Sequence, residues 1–128
     1  MHEPATDPND LERFFVKRAN AGDVEGLVAL YECNAILVNS DGEVAMGLDE
    51  IREFFVRFLA SRPTLDPSVQ AAALCSGDLA LTSSRLSNGD ITAEVARRQA
   101  DGSWLWVVDQ FALGKPTSGI PKVTGRKA

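Results

Sequence analysis

Three glycine-bearing reversals, Ser76-Gly77-Asp78, Asn88-Gly89 and Asp101-Gly102, cut residues 69–113 into short runs rich in Val, Leu, Ile, Thr and Trp. Such spacing predicts a meander of four antiparallel strands. The first half of the chain reads as helix instead. Asp7-Pro8 resembles an N-cap followed by proline, and Leu11, Phe14, Phe15 and Arg18 then recur at helical spacing until Asn20-Ala21-Gly22. Asp23 can cap a second short helix with Leu27, Leu30 and Tyr31 on one face. Ala35–Val38 reads as a buried strand and Asn39–Gly42 as a turn. A third helix after Gly47 carries Ile51, Phe54, Phe55, Phe58 and Leu59 as its apolar stripe and stops at Arg62-Pro63. Helices first and strands afterwards predict an α+β fold in which the helices cover one sheet face and something else covers the other.

With 128 residues the chain suits one domain, read as 1–113, followed by a flexible basic tail over 114–128. Hydrophobic and charged fractions of 45% and 24% are those of an ordinary globular protein. Cys33 and Cys75 stand apart, with no zinc-type grouping, and are expected to be reduced thiols. No leader or membrane span is read in the N-terminal region, so a cytoplasmic location is expected. Residues 1–113 hold nine basic and eighteen acidic side chains. An acidic body of this kind disfavours nucleic acid as a partner. His2 is the only histidine, which leaves no His-based triad or His-rich metal site. Neither a metal nor an organic cofactor is therefore expected.

The turns also predict a register. A two-residue loop at Asn88-Gly89 sets Arg85 opposite Thr92 and Ser83 opposite Glu94, and one at Asp101-Gly102 sets Glu94 opposite Asp109. Glu94, Asp109 and Arg85 then form a cluster on one sheet face. The other face receives Ala93, Val95, Arg97, Trp104, Trp106 and Val108, apolar enough to expect a second subunit there. An alternative puts both tryptophans under the helices and turns the acids outward. Two carboxyls in a low-dielectric pocket cannot both ionise easily, so one is expected to act as acid and the other as base. An ordinary ion pair between Arg85 and Glu94 is the competing reading. Asn39 is either a water-holding amide or simple turn chemistry.

The segment NAGDVEGLVALYECNAILVNSDGEVAMGLDEIREFF, together with SGDLALTSSRL and AEVARRQADGSWLWVVDQ, resembles the ketosteroid-isomerase homologues of the nuclear-transport-factor-2-like and SnoaL-like superfamily. The resemblance spans about residues 10–113. It implies a strongly curved antiparallel sheet forming a cone-shaped barrel with an internal pocket, and a homodimer through the outer sheet face. The isomerase's tyrosine donor falls at Phe15 and its aspartate base at Asn39, so isomerase activity itself is not expected. Its second acid falls at Glu94, and a pocket position on the last strand falls at Asp109. Limonene-epoxide-hydrolase-like relatives suggest another assignment, with Glu94 and Asp109 as the acids, Asn39 holding water and Arg85 supplying the guanidinium. In that pattern Thr92 stands where an arginine is expected.

The resemblance implies a pocket for a compact apolar molecule, with Phe15, Tyr31, Met46, Phe54, Phe58, Val107 and Phe111 as expected lining, or as plain core. Cofactor-independent acid/base chemistry is one functional expectation. A non-catalytic binding or association module, working through the tryptophan face or the tail, is the other.

Overall fold

The computed structural model describes residues 2–113. Residues 114–128, expected to be a basic tail, lie outside the described residues. The elements run α1 (Asp10–Asn20), α2 (Val24–Val28), β1 (Tyr31–Val38), β2 (Val44–Met46), α3 (Gly47–Ala60), β3 (Val69–Gln70), β4 (Leu74–Ser76), β5 (Leu79–Arg85), β6 (Ile91–Arg98) and β7 (Trp104–Leu113). This is the expected α+β order. Among the described residues no helix is long and apolar enough to cross a membrane.

Local chemistry explains most boundaries. Asp23 accepts a hydrogen bond from the Gly26 amide at 2.9 Å and so caps α2. Asp7 does not cap α1. Its side chain accepts from the Asn9 amide at 2.8 Å in a turn, and the helix begins three residues later, at Asp10. Tyr31, expected on a helical face, instead opens β1 with its side chain inward. The first run of the meander is split into β3 and β4, both antiparallel to β5.

The sheet has seven strands in the order β2-β1-β7-β6-β5-β3, with β4 also on β5. Two features differ from an antiparallel barrel. β7 returns to lie parallel to β1, because α3 and the whole meander intervene between them. The strand order also ends at β2 and β3, so the curved sheet stays open. Against its inner face, Phe15 of α1 meets Phe55 of α3, Trp106 and Phe111, each at a centroid distance of 5.9 Å. Leu11, Leu27, Leu37 and Ile51 complete this fully buried core.

Both tight reversals hold three loop residues, not two. Leu86 pairs with Asp90 around Ser87-Asn88-Gly89, and Gln99 pairs with Ser103 around Ala100-Asp101-Gly102. In each the glycine closes the loop at positive φ, +91° and +87°, where a Cβ would be strained. Across the first reversal the register moves by one residue, so that Thr82, not Ser83, faces Glu94 and Arg85 faces Ile91. Arg85 is exposed on the outer face, away from the acids. Across the second, Arg98 faces Trp104 and Ala96 faces Trp106. An extra residue at Val107 then restores the expected pairing of Glu94 with Asp109. That β-bulge turns β7 by one position, which lets Trp104, Trp106 and Asp109 all point inward. The tryptophans therefore belong to the core and not to the outer face. What remains outside is a row of paired apolar residues, Leu74, Leu81, Val95, Val108 and Ile36, crossing five strands.

Candidate functional site

Alternation along the strands puts Thr82, Glu94, Asp109 and Leu37 in one transverse row on the inner face of β5, β6, β7 and β1. Glu94 and Asp109 are only 2% and 3% exposed. Directly opposite residues have Cβ atoms about 5 Å apart, so the two carboxyls are immediate neighbours in a poorly solvated place. Each has a hydroxyl partner. Thr82 donates to Glu94 Oε1 at 2.7 Å, and the Tyr31 hydroxyl donates to Asp109 Oδ2 at 2.5 Å. If Asp109 carries a proton, Oδ1 is thus the oxygen left to hold it.

A cavity of about 270 Å³ opens beside the pair. That is just below the usual range of roughly 300–1,000 Å³ for small-molecule sites, which favours a compact ligand. Phe15, Phe58, Phe111 and Trp106 supply its aromatic lining, and Glu12 of α1 enters from the helical side. The Trp106 indole N–H is buried with no acceptor among the described residues. Ser68 donates to Glu12 Oε2 at 3.1 Å.

Electrostatics follow from burial. Desolvation is the main cause that lifts Asp109 well above the ordinary aspartate range, reinforced by the charge of Glu94 and opposed by the Tyr31 hydrogen bond. Glu94 is raised by desolvation and lowered by the Thr92 and Thr82 hydroxyls. Burial, with a contribution from Glu94, pushes Glu12 up to about 7. The Tyr31 phenol is also raised by burial and by Asp109, so it stays a proton donor at neutral pH. Glu12, at about 7, can hold a proton near neutrality and pass it to or accept it from a bound molecule.

Several expected site residues lie elsewhere. Asn39 uses its side-chain oxygen to accept from the amides of Asp41 and Glu43, both at 2.9 Å, as a turn residue does. Its neighbour Ser40 reaches the cavity instead. Arg85 is removed by the register described above. Met46 borders a separate surface hollow with Cys33 and Leu48, and Val107 sits half-buried at the bulge. Phe54 packs behind the cavity wall against Phe58 and Phe111 at 5.8 and 5.6 Å. Tyr31 reaches the site through Asp109 rather than as apolar lining. Cys33 and Cys75 are free and exposed.

Glu12, Tyr31 as a hydroxyl donor, Thr82 and Trp106 were not foreseen in these roles. For Glu12 a signal existed. It stands three residues before Phe15 and four before Val16, which also line the cavity, so all three share a helical face.

Comparison with solved structures identifies the same fold in several proteins. A ketosteroid isomerase-like protein from Erwinia carotovora atroseptica superposes with a TM-score of 0.64 at 17% identity, covering 84% of this chain and 94% of that one. A Thiobacillus denitrificans protein named for a calcium/calmodulin-dependent protein kinase type II association domain gives 0.67 at 15% identity, over 86% and 95%. A SnoaL-like protein of unknown function from Burkholderia thailandensis gives 0.56 at 16% identity, over 80% and 90%. At these identities the likeness is one of fold. No curated protein sequence matches the chain. The model of the SnoaL-like domain matches residues 11–116, most of the sequence. The chain belongs to the SnoaL-like domain family.

Proposed function

We propose that this protein binds a compact organic molecule in the cavity beside Glu94 and Asp109 and transforms it by acid/base chemistry without a cofactor. The observation that carries this reading is the pairing of two almost fully buried carboxyls, each held by a hydroxyl, at an aromatic-lined cavity. Desolvation and mutual repulsion both favour a proton on the pair. One carboxyl then delivers a proton while the other accepts one, and Tyr31 steadies Asp109 in either state. Phe15, Phe58 and Phe111 hold the apolar body of the molecule. Neither Asn39 nor Arg85 is part of this scheme. The isomerase-like name of one structural neighbour agrees with the reading and does not fix the reaction.

The test is a panel of small ketones, epoxides and unsaturated acids incubated in deuterium oxide and read by mass spectrometry for deuterium uptake or product. Glu94→Gln and Asp109→Asn should each abolish turnover of any compound found while the protein stays folded. Undiminished turnover in both variants would refute the assignment.

Association between copies is a second reading, favoured by the row Leu74, Leu81, Val95, Val108 and Ile36 on the outer sheet face. Leu74, Leu81 and Val108 are 68%, 48% and 40% exposed, an apolar strip unusual for a solvated sheet. A homodimer through that face leaves the cavity untouched, so dimerisation and ligand binding are compatible. The association-domain name of another neighbour points the same way.

A further inference from the structure

The pair Glu94 and Asp109 serves the side of the cavity that the sheet forms. The opposite side is α1, which crosses the inner sheet face with Phe15 against Trp106 and Phe111. Glu12 stands one turn before Phe15 on the same helical face and lines the cavity together with Phe15 and Val16. It therefore enters this space from the side turned away from the pair. Ser68 donates to its Oε2 at 3.1 Å, which fixes the carboxyl through one oxygen.

Glu12 differs from the pair in two respects. It is half-buried, whereas Glu94 and Asp109 are almost fully buried, so it can exchange a proton with water. Its proton affinity lies near neutrality, at about 7, while Asp109 is raised well above the ordinary aspartate range. The three charges act on one another across the cavity: Glu94 raises Glu12, and Glu94 and Glu12 both raise Asp109. A tie to Ser68 does not by itself require an acid. Glutamine would accept from Ser68 without a desolvated charge, yet the chain holds a glutamate whose burial weakens the fold as pH rises past neutrality. Groups perturbed in this way, in a cleft and beside specific charges, cluster where chemistry is done.

We infer that Glu12 is a third acid/base residue of the site, acting from the helical side on the face of the bound molecule turned away from Glu94 and Asp109. This rests on the acid/base reading of the cavity and adds to it a residue and a substrate class. The substrate is flat and conjugated, because in a cavity this small only a thin molecule can show one face to α1 and the other to the sheet. Ionised Glu12 takes a proton from carbon, and the electrons of that C–H bond enter the conjugated system. The atom at its far end receives a proton from the pair. One proton leaves the molecule and one arrives, so the product is an isomer of the substrate. Glu12 then returns its proton to water, and the pair is reloaded. Asp66, Asp90 and the Tyr31 phenol behind Asp109 are the other titratable groups around this space among the described residues.

The probe is 5-nitrobenzisoxazole, a flat molecule that a base opens by removing one carbon-bound proton. The C–H electron pair becomes the third carbon–nitrogen bond, the nitrogen–oxygen bond breaks with its electrons, and the oxygen leaves as that of coloured 2-cyano-4-nitrophenolate. The full-length protein should convert it faster than the same concentration of acetate. Its kcat/KM should rise as Glu12 ionises, with half the plateau reached near pH 7. Glu12→Gln should lower kcat about a hundredfold with KM little changed, and Glu12→Asp, one methylene shorter, should fall in between. Urea unfolding checks that each variant is folded. If Glu12→Gln keeps the parental kcat while Glu94→Gln or Asp109→Asn abolishes it, the base belongs to the pair; this inference then fails and the proposed function stands. A change confined to KM makes Glu12 a binding contact and overturns the inference as well. If the protein is no faster than acetate, or all of these variants match the parent, both readings fall together.

Discussion

Glu12→Gln should make the protein more stable at pH 8 and leave it nearly unchanged at pH 5. In the unfolded chain Glu12 ionises near the ordinary glutamate value of 4.5, and in the folded protein burial and the charge of Glu94 push this up to about 7. The folded state therefore holds more protons than the unfolded state between those values, and stability must fall as pH rises through them. A shift of this size makes the folded protein about 3 kcal/mol less stable once both states are ionised, with about 2.5 kcal/mol of the change falling between pH 5 and pH 8. Glutamine keeps an oxygen to accept from Ser68 and carries no titrating charge. The variant should gain about 3 kcal/mol over the parent at pH 8 and less than about 1 kcal/mol at pH 5. Asp23 and Asp101, whose folded values are lowered, exert their pH effect chiefly below the ordinary aspartate value of 3.8 and do not disturb this window. Glu94 and Asp109 are raised and act in the same direction as Glu12. Urea unfolding followed by tryptophan fluorescence at pH 5, 6, 7 and 8 gives the comparison. A parent protein whose stability climbs from pH 5 to pH 8, or a variant no more stable than the parent at pH 8, would refute the reasoning.

Removing the hydroxyl in Tyr31→Phe takes away a buried hydrogen bond to Asp109 and should cost about 1–3 kcal/mol in chemical denaturation, while raising the Asp109 carboxyl further. Leu81→Lys inserts a charge in the middle of the outer apolar row. If copies associate there, sedimentation velocity should show dimer for the parent and monomer for the variant; identical profiles would exclude that face. Gly89→Ala must adopt φ near +91° and should lose about 1 kcal/mol in thermal unfolding, with the amide shifts of Phe15, Glu94 and Phe111 unaltered.

The helical half was legible because its signals are local. Asp23 as a cap and Arg62-Pro63 after α3 act within a few residues of themselves and stand where the pattern indicates, while Gly47, expected just before α3, is its first residue. Tyr31 was misread because Leu27, Leu30 and Tyr31 continue a helical spacing over a stretch too short to distinguish from the start of a strand. The sheet register was harder. Asn-Gly and Asp-Gly suit both two-residue loops and three-residue loops ending in glycine, and the two differ by one position. At Asn88-Gly89 that difference carried Arg85 to the outer face, put Ser84 opposite Thr92 in its place and set Thr82 rather than Ser83 opposite Glu94. At Asp101-Gly102 the same difference was cancelled by the bulge at Val107, which no local pattern announces, so Glu94 faces Asp109 through two compensating irregularities. Long-range effects stayed hidden as well. That Glu12 approaches the acids depends on how α1 lies across the sheet, and Tyr31 meets Asp109 only through the parallel pairing of β1 with β7.

The account turns on two neighbouring buried acids whose affinity for a proton is raised by burial and by each other. Carbon-13 NMR of the side-chain carboxyls, assigned with Glu94→Gln and Asp109→Asn, follows each group through a titration from pH 3 to pH 9. The prediction is that both groups titrate above the ordinary values of 4.5 for glutamate and 3.8 for aspartate, that each responds to loss of the other, and that Asp109 is displaced further than Glu94. Two independent titrations in the ordinary carboxylate range would contradict it.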